Sequence, residues 1–172
     1  MSIPKKVINF LEKGKVKYEL LEQKTVYTAY DKAATLKVKP NIVAKTLIMK
    51  ADKELLIALV PGNRNLDKNK FQKTVNREQR TKNKEQKVGS KKQIEFASEK
   101  TAKLKFKGVQ VGSIPPFGTL WKLPVLVEAS LMKNPKIIVN SGSYEWSIKI
   151  GSAELKKLSP DMVVGNFGKA KK

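Results

Sequence analysis

Hydrophobic and polar positions alternate most plainly between Val43 and Asn63, VAKTLIMKADKELLIALVPGN. In an extended backbone Lys45, Leu47 and Met49 share one side and Thr46, Ile48 and Lys50 the other. A polar turn, Ala51-Asp52-Lys53-Glu54, leads into residues 55–60, LLIALV. That run is apolar on both sides, as a strand covered on both faces is. Pro61 and Gly62 end it. The pattern predicts a β-hairpin. Its anomaly is Lys45, which begins a strand on the side of Leu47 and Met49. Such a lysine is either a strand end reaching for water or a charge placed for a task.

The rest of the chain divides around this hairpin. Ser2 and Pro4 open a predicted helix with Val7, Phe10 and Leu11 on one face, ended by Gly14. Val16, Tyr18 and Leu20 alternate with lysine and glutamate as a half-buried strand. Thr28 followed by Asp31 starts an alanine-rich helix that Pro40 closes. Asn65 is placed to cap a helix carrying Leu66 and Phe71. Residues 74–93, TVNREQRTKNKEQKVGSKKQ, read as a solvated helix end and basic polar loop. Ser98 caps a short helix with Ala102 and Leu104. Residues 123–128 and 136–140 read as strands. Ser141-Gly142 turns the chain, and Tyr144, Trp146, Ile148 and Ile150 mark one more amphipathic strand. Ser152 caps a last helix through Leu155 and Leu158, and residues 165–172 read as a mobile basic tail. The order predicts a single α/β domain of the α+β type over residues 1–172. Its sheet is mixed and largely antiparallel, or a partly closed barrel, with peripheral helices.

Composition narrows the chemistry. With 172 residues the chain can bury a substantial core. It has no Cys and no His, which removes thiolate chemistry, the usual zinc ligands, the usual general base and every Ser-His arrangement. No P-loop, GxGxxG motif or metal-ligand cluster is present, so no cofactor and no metal are expected. The 36 Lys+Arg against 15 Asp+Glu give a formal charge of +21, which favours a polyanionic partner. Only Arg64, Arg77 and Arg80 are arginines, so binding to a phosphate backbone is favoured over reading of base edges. No apolar run has the ~20 residues of a membrane span, and no signal-peptide core is visible; a cytoplasmic protein without a membrane partner is expected.

One further stretch stands out, GVQVGSIPPFG at residues 108–118. Its glycines permit close approach of a ligand, and Pro115-Pro116 fixes the path. It is a structural turn or the wall of a site. Gly142 likewise turns the chain or approaches a substrate. Tyr18, Tyr27 and Tyr30 line a pocket or fill the core.

Three features in this order resemble the YbaK/prolyl-tRNA-synthetase-associated editing-domain family. They are the lysine-headed strand Ala44-Lys45-Thr46-Leu47, its partner ending Ile57-Ala58-Leu59-Val60-Pro61-Gly62, and the G-x-x-x-P loop Gly112-Ser113-Ile114-Pro115-Pro116 followed by Phe117-Gly118. Val127-Glu128-Ala129-Ser130-Leu131 and Val139-Asn140-Ser141-Gly142 extend the likeness, which spans about Tyr18 to Leu158. The chain departs from the family in carrying Glu128 where Asp is common, and in its long basic stretch 74–93. The resemblance implies hydrolysis of the ester joining a wrong amino acid to the 3′ end of a tRNA. It makes Lys45 the key residue, near the scissile ester or the terminal phosphate. The substrate-binding set it implies is Gly112, Ser113, Ile114, Pro116 and Gly118, with Tyr30 and Gly142. The partners implied are the aminoacylated 3′ end of tRNA and an aminoacyl-tRNA synthetase. An aminoacyl ester is already activated, so positioning, oxyanion stabilisation and a directed nucleophile suffice. A cation and the backbone N–H groups of a Gly-rich loop can supply them without histidine. The attacking group is water or a hydroxyl, amine or thiol of the substrate. The alternative is a non-catalytic tRNA- or RNA-binding module of the same fold.

Overall fold

The computed structural model describes residues 2–82 and 93–171. In chain order the elements are α1 (Lys5–Lys13), β1 (Tyr18–Glu22), α2 (Ala29–Leu36), β2 (Ala44–Ala51), β3 (Glu54–Pro61), β4 (Arg64–Leu66) and α3 (Lys68–Lys82). After the undescribed residues come β5 (Ile94–Phe96), α4 (Glu99–Lys105), α5 (Gly118–Trp121), β6 (Val125–Glu128) and α6 (Ala129–Met132). The chain then completes β7 (Lys136–Asn140), β8 (Trp146–Gly151), α7 (Ser152–Leu158), β9 (Val163–Gly165) and β10 (Gly168–Ala170).

The hairpin is β2–β3, closed by Asp52-Lys53, with Lys45 opposite Val60 and Met49 opposite Leu56. Asp52 takes the left-handed conformation (φ 54°) that so tight a turn needs, and its carboxylate accepts from Gln93 N at 2.9 Å. The hairpin is the centre of a five-stranded sheet in the order β5-β2-β3-β6-β9. β5 pairs antiparallel with β2, while β3–β6 and β6–β9 are parallel. A three-stranded antiparallel sheet, β1-β8-β7, packs beside it. A two-stranded ribbon joins β4 to β10. The fold is thus mixed α/β, as expected, and the strands do not close into a barrel.

The apolar run of β3 lies between two cores. Ile57 and Leu59 enter a main core with Val7 and Leu11 of α1, Val125 and Val127 of β6, Ile137 and Val139 of β7, and Ile148 and Ile150 of β8. Leu56, Ala58 and Val60 enter a second core with Met49, Leu126, Phe71 and Val75 of α3, and Phe167. Each fully buried aliphatic side chain contributes on the order of 1.5–3 kcal/mol, so this strand anchors both layers. A third cluster seats Ala29 and Ala33 of α2 on Val43 and Ile138.

Several local expectations change. Thr28 and Ser98 cap as read, accepting from Asp31 N (3.0 Å) and Thr101 N (3.1 Å). Pro4, not Ser2, stands at the start of α1. Asn65 is drawn into β4 opposite Lys169, and Asp67 takes its capping role, accepting from Lys70 N at 3.1 Å. Gly151, not Ser152, occupies the N-cap of α7, without a side-chain cap. Of the stretch 74–93, residues 74–82 continue α3 as its helical end, and 83–92 lie outside the described residues. The tail is not loose. Phe167 is fully buried edge-on to Phe71 (5.0 Å between centroids), and residues 168–170 form β10. Among the described residues no helix is long and apolar enough to cross a membrane.

Candidate active site

β2 and β7 touch through one parallel bridge, Val43 to Ile138, and then separate. β5 covers β2 only from Met49 to Ala51, so the outer edge of β2 before that point is left open. Ala97 N donates to Ile48 O at 2.9 Å, which directs the main-chain groups of alternate residues, Thr46 included, outward from β3. A cleft of about 270 Å³ lies here, walled by the edge 44–47, the start of α2, the Gly112-Ser113 turn, Asn140 and Tyr144.

Lys45 stands on one wall. It shares the face of Leu47 and Met49, but the β4–β10 ribbon covers the end of that face, and Lys45 Nζ donates to Asn65 Oδ1 at 3.3 Å. Half-buried and next to the cationic Lys171, its ammonium is pulled down to about 8, with desolvation the larger cause. The charge is placed, not frayed.

Lys32 forms the floor. The Thr28 cap sets the phase of α2 so that Lys32 falls beside the inward-facing Ala29 and Ala33. It is only 6 % exposed, and its Nζ donates to Asn140 Oδ1 at 2.7 Å. Burial lowers its pKa to about 8. Asn140 Nδ2 lies 3.5 Å from Thr46 Oγ1, tying β7 to β2 across the floor. Among the described residues no carboxylate lines the cleft.

The Gly/Pro loop contributes only its first two residues. Gly112 and Ser113 line the cleft. A side chain at Gly112 would stand 2.7 Å from Tyr144 Oη, so glycine is what lets that ring lie against the loop. The expected free N–H groups are engaged here: Gly112 N donates to Tyr144 Oη (2.9 Å) and Ser113 N to Gln110 O (2.9 Å). Ile114, Pro116 and Gly118 are buried away from the cleft; Gly118 packs so closely that a Cβ would meet Leu123 O at 2.4 Å. Gly142 also lies outside the lining. At φ 98° it donates to Ser113 O (2.7 Å) and accepts from Gln110 N (3.1 Å), clamping the loop to the turn after β7. Tyr30 points outward, 59 % exposed, with Lys171 Nζ 5.5 Å from its ring centroid. Tyr27 lines the cleft, edge-on to Tyr144 at 4.8 Å, whereas Tyr18 donates to Glu12 elsewhere on the surface.

The family model for the aminoacyl-tRNA editing domain matches residues 23–158, most of the chain and all of the cleft described above. The chain belongs to this family. Solved structures share the fold at low identity. The hypothetical protein APE2540 superposes with a TM-score of 0.79 at 19 % identity, over 96 % of this chain and 100 % of that one. A protein provisionally described as a trans-editing enzyme for prolyl-tRNA synthetase gives 0.78 at 18 %, over 98 % and 100 %. A scaffold used for epitope grafting gives 0.76 at 20 %, over 96 % of each chain.

Within this editing domain, Glu128 has a structural environment. It is buried, accepts from Ser130 N (2.9 Å) and from the Ser130 hydroxyl, and accepts from Gly168 N at 3.3 Å. It therefore starts α6 and fastens β10, the strand whose partner β4 holds Lys45. Sequence reading missed Lys32, Asn65 and Tyr144. A signal existed for Lys32 alone: it lies three residues after Ala29 and next to Ala33, on the stripe the cap turns inward. Among the described residues the cleft offers two lysine amino groups and the outward N–H of Thr46, groups able to position a substrate and stabilise negative charge.

Proposed function

We propose that this editing domain acts in trans as an aminoacyl-tRNA deacylase, hydrolysing the ester of a mischarged tRNA held by Lys45 and the Gly112-Ser113 turn. The observation that carries the reading is Lys45 itself: a half-buried cation on a cleft wall, held by Asn65 and facing no carboxylate. Water, or a group of the substrate that water later replaces, adds to the ester carbonyl carbon. The bond to the ribose oxygen then breaks, that oxygen takes up a proton, and free amino acid and tRNA leave. Negative charge on the carbonyl oxygen is met by the Lys45 ammonium and the Thr46 N–H. Such preorganised donors contribute about 2.7–4 kcal/mol each. A synthetase that misacylates the tRNA supplies the substrate.

The test is a panel of mischarged tRNAs. Wild type hydrolyses at least one, and Lys45→Ala lowers that rate by roughly 100-fold or more while tRNA affinity changes far less. If no ester is cleaved and tRNA still binds with a steep salt dependence, the domain is a binding module.

A further inference from the structure

The floor of the cleft is built for more than holding tRNA. Lys32 is nearly buried and carries three donor hydrogens, and among the described residues Asn140 Oδ1 is their acceptor. Ser113 lines the same cleft, and its Oγ, in a residue 2 % exposed, is buried without a protein hydrogen-bond partner. Buried polar groups are normally satisfied, and a buried cation is normally paired. Water entering the cleft, or a ligand that displaces it, supplies the remaining acceptors. The wall adds a second ammonium, Lys45, and the lining adds no carboxylate. A substrate bringing its own α-ammonium group would add a third positive charge.

Resting on the deacylase reading, we infer that Lys32 is a specificity-determining residue, and that the acyl group this domain removes carries a side-chain carboxylate, seated on Lys32 Nζ and Ser113 Oγ. A backbone phosphate fits the floor less well. A phosphodiester is joined to chain on both sides and reaches a nearly buried ammonium less readily than an amino-acid side chain, which ends in a free tip. The adenine base also ends free, but carries no negative charge.

One tRNA transcript is acylated in turn with aspartate, glutamate, alanine, serine and proline, and kcat/KM for deacylation is measured with wild type, Lys32→Met and Lys32→Arg. The aspartyl or glutamyl ester is expected to be cleaved at least ~10-fold faster than the neutral ones. Lys32→Met should cost that ester at least ~100-fold, because it leaves the substrate carboxylate without its cationic partner. The neutral esters should lose at least ~10-fold less than the acidic one, and Lys32→Arg should keep the acidic preference. A wild type that prefers a neutral ester overturns the inference, as does a Lys32→Met loss equal across all five, the signature of a phosphate contact or of a structural role. Either outcome leaves the deacylase reading standing, because cleavage is still seen. Absence of cleavage of every ester removes both. If Lys32→Met fails to fold, the wild-type ranking and Lys32→Arg still decide.

Discussion

Replacing Lys32 by Met should make the protein more stable at neutral pH, by an advantage that shrinks as pH rises and finally reverses. The replacement keeps the length of the side chain and removes the charge. Burial lowers the Lys32 pKa from 10.5 to about 8. At about 1.36 kcal/mol per unit, the folded state carries roughly 3 kcal/mol of desolvation whenever the lysine is protonated. The variant loses the bond to Asn140 Oδ1, a further cost of about 1–1.5 kcal/mol. The net gain at pH 7 is therefore about 2 kcal/mol, or ~4–8 °C in Tm for a domain of this size. The sign follows from linkage. Below pH 8 the lysine is charged in both states and the full cost applies. Between about 8 and 10.5 the unfolded chain holds a proton the folded one has released, so wild-type stability rises with pH. Above 10.5 the cost is gone and only the lost hydrogen bond separates the two proteins. Denaturant unfolding of both at pH 7, 9 and 10.5 reads the difference directly, since the other lysines titrate alike in each. A variant less stable than wild type at pH 7, or a difference that does not change with pH, refutes the reasoning.

Enzyme-catalysed deacylation should fall on the alkaline side of about pH 8, because the Lys45 pKa lies there and the protonated form is the one required. Lys45→Arg, which stays charged throughout, should abolish that fall for a neutral ester, whose acyl group carries no carboxylate for Lys32; an identical pH profile would show that another group is responsible. Gly112→Ala puts a methyl 2.7 Å from Tyr144 Oη and should cost ~10–100-fold in kcat/KM through displacement of the cleft wall. Its denaturant midpoint should move little, and an unchanged rate would mean that the wall does not position substrate. Phe167→Ala should destabilise by about 3–5 kcal/mol in the same unfolding assay, since its ring is fully buried on Phe71. A loss below ~1 kcal/mol would mean that the end of the chain is dispensable to the second core.

The hairpin was legible because its information is local. Residues 55–60 are apolar on both parities, and the structure gives that run two cores. The anomaly at Lys45 was legible for the same reason: a charge on an apolar parity needs only three neighbouring residues to be seen. What holds it was not. Asn65 reads as a helix cap because the residues around it resemble a helix start. Its actual partner in register is Lys169, over a hundred residues on, and no local pattern encodes that pairing. The basic end of the chain was misread in the same way. Lysines and glycines flank Phe167, and composition outweighed the one side chain that finds the second core.

The floor of the cleft failed to show for a different reason. A lysine on an alanine-rich helix is ordinarily solvated, and only the exact rotation of α2 separates that from burial. Thr28 fixes the rotation, and Ala29 and Ala33 take the contact with Val43 and Ile138. Lys32 is then nearly buried and lines the cleft. A long flexible side chain there costs the fold more than methionine would, and the fold keeps it. Lys45 bears the same kind of cost more mildly, at the end of a strand otherwise given to packing. Two lysines with depressed pKa values on one cleft, in a chain where most of the other cations stay exposed, mark the place where stability was exchanged for a site. Their separation of roles follows from depth. On the deacylase reading proposed above, Lys45 at the wall meets the ester of a tRNA end that extends into solvent, while the more deeply buried Lys32 meets what the ester carries inward.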